Sequence, residues 1–236
     1  MAGYPANGIN LQRVSFATAG GRRVWGFMSV PKDKSKAPFP VSFEVASAGE
    51  GKWTMDMASG SPDRIRMYFT VHYFEPPATV PELLVIRKGL SEELKAKYGV
   101  ASYSAAGIAA SREDYYFYPS ILGINRAVNW LWNRDDVDRT RFNYTGGSQG
   151  GGFGLYLAYL NPLIKRAVVT VPGFADMLCG EHGRQTTARE SLFATTDAKV
   201  LADGSAPQLG GVTLDGGDRT TLTAARNLVE GTLFED

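Results

Sequence analysis

Residues 141–160 read RFNYTGGSQGGGFGLYLAYL, and they change character twice. A β-type segment, 141–145, carries aromatic and β-branched residues into a glycine cluster, and an amphipathic apolar run, 153–160, leaves it. Gly146-Gly147-Ser148-Gln149-Gly150 satisfies G-x-S-x-G, the sharp strand-to-helix turn that lifts a serine hydroxyl above the edge of a sheet. Three fixed positions are a weak signal in a chain with 27 glycines among 236 residues, and the bland alternative is a glycine-rich structural turn. The strand before and the helix after supply the context that the motif demands. Glycine there is expected to permit a strained backbone and close helix packing.

Working outward, the β-branched segment 167–171 follows the second apolar run, and a helical stripe of Ile121, Ile124, Val128 and Leu131 precedes the first strand after Pro119. The intervening 133–141 reads as a polar stretch. Helix, strand, tight turn, helix, strand is a parallel α/β unit. Nearer the N-terminus, 14–18 and 23–30 read as a hairpin turning at Gly20-Gly21, and 41–45 as a strand emptying into the small residues 46–51. Alternating Ile65, Met67, Phe69 and Val71 read as a half-buried strand, with His72 beside it as an ordinary packed or surface histidine. From 185 onward the apolar pattern weakens, so 185–236 receives no elements.

Composition narrows the function. Twenty-five Lys and Arg against 24 Asp and Glu leave a net charge of +1, too little field to hold a nucleic acid or an acidic membrane face. No apolar run approaches the roughly 18 residues of a membrane helix, so a soluble protein is expected. One cysteine, Cys179, excludes an internal disulfide, and with only His72 and His182 beside it a structural zinc site lacks ligands. Cys179 reads as a packing residue. The opening MAGYPANGINLQRV shows no signal peptide, leaving the compartment unspecified.

A serine hydroxyl needs a base to take its proton and donors to stabilise the tetrahedral oxyanion. The N–H of Gln149, at the start of a helix, is one candidate donor, and the loop at Ser47 or Ala48 is the other; its bland reading is a plain exit from a strand.

SREDYYFYPSILGINRAVNWLW (111–132), followed by FNYTGGSQGGGFGLYLAYLNPLIKRAVVTVPGFADM (142–177), resembles the acetyl xylan esterase and cephalosporin C deacetylase family of α/β-hydrolases. RRVWGFMSVPK (22–32) is similar to the family's β-rich start. The resemblance implies one α/β-hydrolase domain over 1–236: a mainly parallel sheet with a β-rich N-terminal segment, 1–40, and without the C-terminal end of the sheet. It implies a serine esterase removing acetyl groups from sugars or oligosaccharides, with no metal or organic cofactor. Ser148 becomes the nucleophile and Gln149 an oxyanion donor. Where the family has an arginine-glycine pair before the helix, Ala110-Ser111-Arg112-Glu113 keeps only the arginine.

The family carries its acid and then its histidine on loops after the last strands, yet no histidine follows His182. Asp218 is the candidate acid, against a plain Gly-Asp turn. His182, with Asp176 six residues before it, is the candidate base, against an ordinary loop histidine. The chain ends at Asp236, where the family would still need a strand and its histidine. The alternatives are therefore a truncated or noncatalytic α/β-hydrolase-fold protein, a fragment or a carbohydrate-binding pseudoenzyme, and, within enzymes, a prolyl oligopeptidase-like peptidase, disfavoured by the absent β-propeller. Oligomeric state is not legible.

Overall fold

The computed structural model describes residues 8–48, 53–54, 60–170 and 172. Asp176, Cys179, His182 and Asp218 lie outside the described residues. Contacts divide the described chain into two compact units, one of residues 8–83 with 120–172 and one of residues 84–119.

The first unit is built on a six-stranded sheet. β1 (Ile9–Ala17) and β2 (Arg23–Pro31) form the expected hairpin, in register from Ile9 opposite Pro31 to Ala17 opposite Arg23. Gly20 and Gly21 both take positive φ, 67° and 69°, where a side chain would be strained, so the turn falls where the Gly-Gly pair sits. β3 (Phe39–Val45) buries Phe39, Val41, Phe43 and Val45 and half-exposes the residues between them. The polar stretch expected at 133–141 is in part strand: β5 begins at Val137 and runs to Gly147 (Val137–Gly147).

Strand order is β1-β2-β4-β3-β5-β6, with β4 at Ile65–Phe69 and β6 at Arg166–Thr170. The β1–β2 and β2–β4 pairs are antiparallel, whereas β4–β3, β3–β5 and β5–β6 are parallel. Four strands therefore point the same way, and the loops leaving β3, β4, β5 and β6 share one edge of the sheet. Ligands of open α/β sheets collect at that carboxyl edge.

One expectation is corrected here. The strand at 65–69 is not half-buried, because β4 is central, paired on both sides, and every residue except Arg66 is buried. Tyr68, which occupies the supposedly polar face, is covered too. The alternation misled because Tyr68, read as a polar position, is an amphipathic side chain that is readily buried and so does not mark a solvated face.

Two helices flank this sheet. α2 (Phe117–Trp132) buries the predicted stripe of Ile121, Ile124, Val128 and Leu131. It lies close on β2: a Cβ added at Gly123 would come within 2.7 Å of Val24. α3 (Gln149–Leu160) packs on β3, β5 and β6 through Phe153, Tyr156 and Leu157. Asn161, buried after α3, donates to Asn125 at 2.6 Å and Asn129 at 2.8 Å, tying α3's end to α2. The core between is aromatic: Phe43 stacks on Phe69 and on Tyr144, centroids 5.7 and 6.3 Å apart. Each fully buried Phe is worth about 1.5–3 kcal/mol of transfer free energy.

α1 (Val80–Tyr98) was not anticipated. Its start, in the first unit, is a capping box, with Thr79 Oγ1 accepting from the Glu82 N–H at 3.4 Å and the Glu82 carboxylate accepting from the Thr79 N–H at 3.2 Å. Within the second unit, Asp114 accepts from Tyr98 and Ser111, each at 2.9 Å, and these hydrogen bonds hold its carboxyl below the usual range. Tyr103 and Tyr115 pack edge-on against Phe117, at 5.8 and 5.7 Å. Among the described residues, no helix is long and apolar enough to cross a membrane.

Candidate active site

Ser148 stands between the end of β5 and the first residue of α3, at the carboxyl edge. Its backbone takes φ 53°, ψ −122°, and it is the one non-glycine residue with positive φ among those described. Such a conformation costs a side-chain-bearing residue about 1–3 kcal/mol and persists only where neighbours over-determine it. The neighbours are identifiable. Its N–H donates to the Thr170 carbonyl of β6 at 3.0 Å, and its carbonyl accepts from the Gly152 N–H at 3.0 Å in the first turn of α3. Pinned at both ends, the residue is left exposed at the surface of the edge.

The glycines do the close packing expected of them, but the strained conformation is not theirs. Positive φ falls on Ser148 itself, while Gly146 and Gly150 serve close packing. A Cβ at Gly150 would lie 2.0 Å from the Val45 carbonyl oxygen, and one at Gly146 would lie 2.5 Å from the Gly150 carbonyl oxygen. Only bare backbone lets α3 start this close to the ends of β3 and β5. Tyr144, buried beneath the turn, donates its hydroxyl to the Gly150 carbonyl. Burial pushes that phenol far above its ordinary pKa, so it stays a protonated donor.

Gln149, the first residue of α3, is buried, and its Nε2–H donates to the Ala46 carbonyl at 3.3 Å. The structure thus brings the Gln149 side chain and the loop after β3 together. Ser47 on that loop is half-exposed and Ala48 exposed. The Trp53 indole N–H donates to the Ser47 carbonyl at 3.2 Å, and the Ala46 N–H donates to the Phe69 carbonyl of β4 at 2.8 Å. These braces on the loop were missed by sequence reasoning. The signal for the first is the glutamine after the serine, a long amide whose side chain must find a partner once the turn is buried. Trp53 lies eight residues beyond β3, and nothing in its local pattern marks it.

His72 is fully buried, edge-on to Trp53 with centroids 3.9 Å apart and stacked on Phe74 at 5.0 Å, so it is the packed histidine expected. The structure does not describe the candidate acid and base, Asp218 and His182, nor Asp176. Among the described residues, no cluster of His, Cys, Asp or Glu could hold a metal ion.

Comparison with known proteins agrees with this architecture. Acetyl esterase Axe7A of Xylanibacter ruminicola is 24% identical over 177 residues, which is 74% of this chain and 38% of that protein. The acetyl xylan esterase from Paenibacillus sp. R4 superposes with a TM-score of 0.58 at 22% identity, over 80% of this chain and 57% of its own. Acetyl xylan esterase 1 from Thermoanaerobacterium sp. JW/SL YS485 gives 0.60 at 16% identity, over 96% and 66% respectively. The chain thus spans 38% of the curated relative's length and 57% and 66% of these two structures'. The fold is that of the α/β-hydrolase esterases. Residues 2–178 match the acetyl xylan esterase (AXE1) family along their whole extent, and the chain belongs to that family.

Proposed function

We propose that this chain carries the nucleophile and oxyanion donors of a serine esterase that removes acetyl groups from acetylated sugars or oligosaccharides. The observation that carries the reading is the positive φ of Ser148 at the junction of β5 and α3, a strained elbow held by Thr170 and Gly152. Family membership supports ester hydrolysis, and the names of the relatives supply the acetyl group and the sugar as substrate class.

Ser148 Oγ attacks the acetyl carbonyl carbon as a base takes the hydroxyl proton. The oxyanion that forms is stabilised by the Gln149 N–H and by an N–H from Ser47 or Ala48. Collapse breaks the ester bond, and the sugar alkoxide leaves with the proton from the base. Water then attacks the acetyl-enzyme, and acetate departs as Ser148 recovers its proton. No step calls for a metal or organic cofactor. His182 is the candidate base and Asp218 the candidate acid within this chain. In the alternative reading the chain is the scaffold-bearing part of a longer enzyme or a noncatalytic relative, and its own turnover is feeble.

Acetate release from acetylated xylo-oligosaccharides tests the reading. Release by the wild-type chain and its loss in Ser148→Ala is the expected result. Equal release by both proteins removes Ser148 from the nucleophile's place.

A further inference from the structure

We infer that Trp53 is a positioning residue, which aims the Ala48 N–H at the oxyanion. The inference rests on the reading of Ser148 as nucleophile. A trans peptide is planar, with its C=O and the following N–H pointing in opposite directions. Whatever grips the carbonyl of residue 47 therefore sets where the N–H of residue 48 points. Trp53 Nε1–H grips that carbonyl at 3.2 Å. The preceding peptide is handled the same way, because Gln149 Nε2–H holds the Ala46 carbonyl at 3.3 Å and so orients the Ser47 N–H. The 46–47 and 47–48 peptides are thus both held through their carbonyls by side chains, Gln149 from the elbow helix and Trp53 from farther along the chain.

The Trp53 grip is rigid. Trp53 and Thr54 are both fully buried, and the indole is wedged edge-on against His72, itself stacked on Phe74. A donor fixed in this way holds a peptide plane without reorganisation as charge develops, which is what makes an oxyanion site effective. With Ser47 half-exposed and Ala48 exposed, the buried indole is a firmer support for this peptide than solvent would be.

Phosphonylation of Ser148 by a fluorophosphonate reads the effect without requiring full turnover. The Oγ–P bond forms, the P–F bond breaks, fluoride leaves and the hydroxyl proton passes to base or solvent. The developing charge on the phosphonyl oxygen occupies the same site. In Trp53→Phe, and in a chain with benzothienylalanine at position 53 in which sulfur replaces the indole N–H at equal volume, the maximal labelling rate should fall about tenfold with little change in the half-saturating concentration. Thermal unfolding reports whether each variant is folded. An unchanged maximal rate in a folded variant overturns the inference, as does loss with phenylalanine but retention with the sulfur isostere, which would make ring packing and not the N–H responsible. If wild type itself is not labelled at Ser148, the nucleophile reading fails first and takes this inference with it.

Discussion

Ser148 holds a backbone conformation that glycine would adopt more cheaply, and the chain keeps a serine there. Strain retained at a surface-exposed hydroxyl is the pattern of a functional residue. Stability and activity should consequently separate at this position. Ser148→Gly is expected to raise stability by about 1 kcal/mol relative to Ser148→Ala, because only glycine relieves the positive φ. Both should lower ester hydrolysis by at least about 10³-fold. Chemical denaturation beside initial rates checks the pair, and a Gly variant no more stable than Ala would mean that the elbow is unstrained. Beneath it, Tyr144→Phe removes the hydroxyl donated to Gly150 and should cost about 1 kcal/mol in the same assay.

At the scale of elements, the approach of α3 to β3 leaves no room for a side chain at Gly150. Gly150→Ala should destabilise by about 1–3 kcal/mol and also slow labelling of Ser148, since relief requires moving either the helix start or the loop after β3. Full stability with full activity in that variant would contradict the packing described. The junction was legible in the sequence because its signals are local: a β-rich run, a glycine-flanked serine and an apolar run. α2 was legible for the same reason, its four apolar residues recurring at helical spacing and all buried. α1 was not, since Leu83 and Leu94 are buried while Leu84 and Val85 are exposed, which blurs any stripe. Its legible sign was Thr79-x-x-Glu82, a capping box. Thr79→Ala should cost about 1 kcal/mol, measured by thermal or denaturant unfolding.

For the molecule as a whole, four parallel strands deliver the loops after β3, β4, β5 and β6 to one edge, and the candidate oxyanion donors come from two of them. Sequence could place Ser148, Gln149 and Ser47 there because each follows a readable strand or starts a readable helix. It could not show the Trp53 brace, which depends on a contact across the loop, nor that β4 is central, which depends on pairing between distant strands. The base is tested at this scale. With His182 as the base, hydrolysis of p-nitrophenyl acetate by the 236-residue chain should fall by orders of magnitude in His182→Ala. Weak hydrolysis that His182→Ala leaves unchanged would instead favour the alternative reading, in which the chain's own turnover is feeble. The most direct test of the central claim looks for the acetyl-enzyme itself: p-nitrophenyl acetate is added, the reaction is quenched in acid, and the acetylated peptide is located by mass spectrometry. The result expected is one acetyl group on Ser148, absent from Ser148→Ala. Acetylation elsewhere, or equal acetylation of both proteins, would contradict the assignment of Ser148 as the nucleophile.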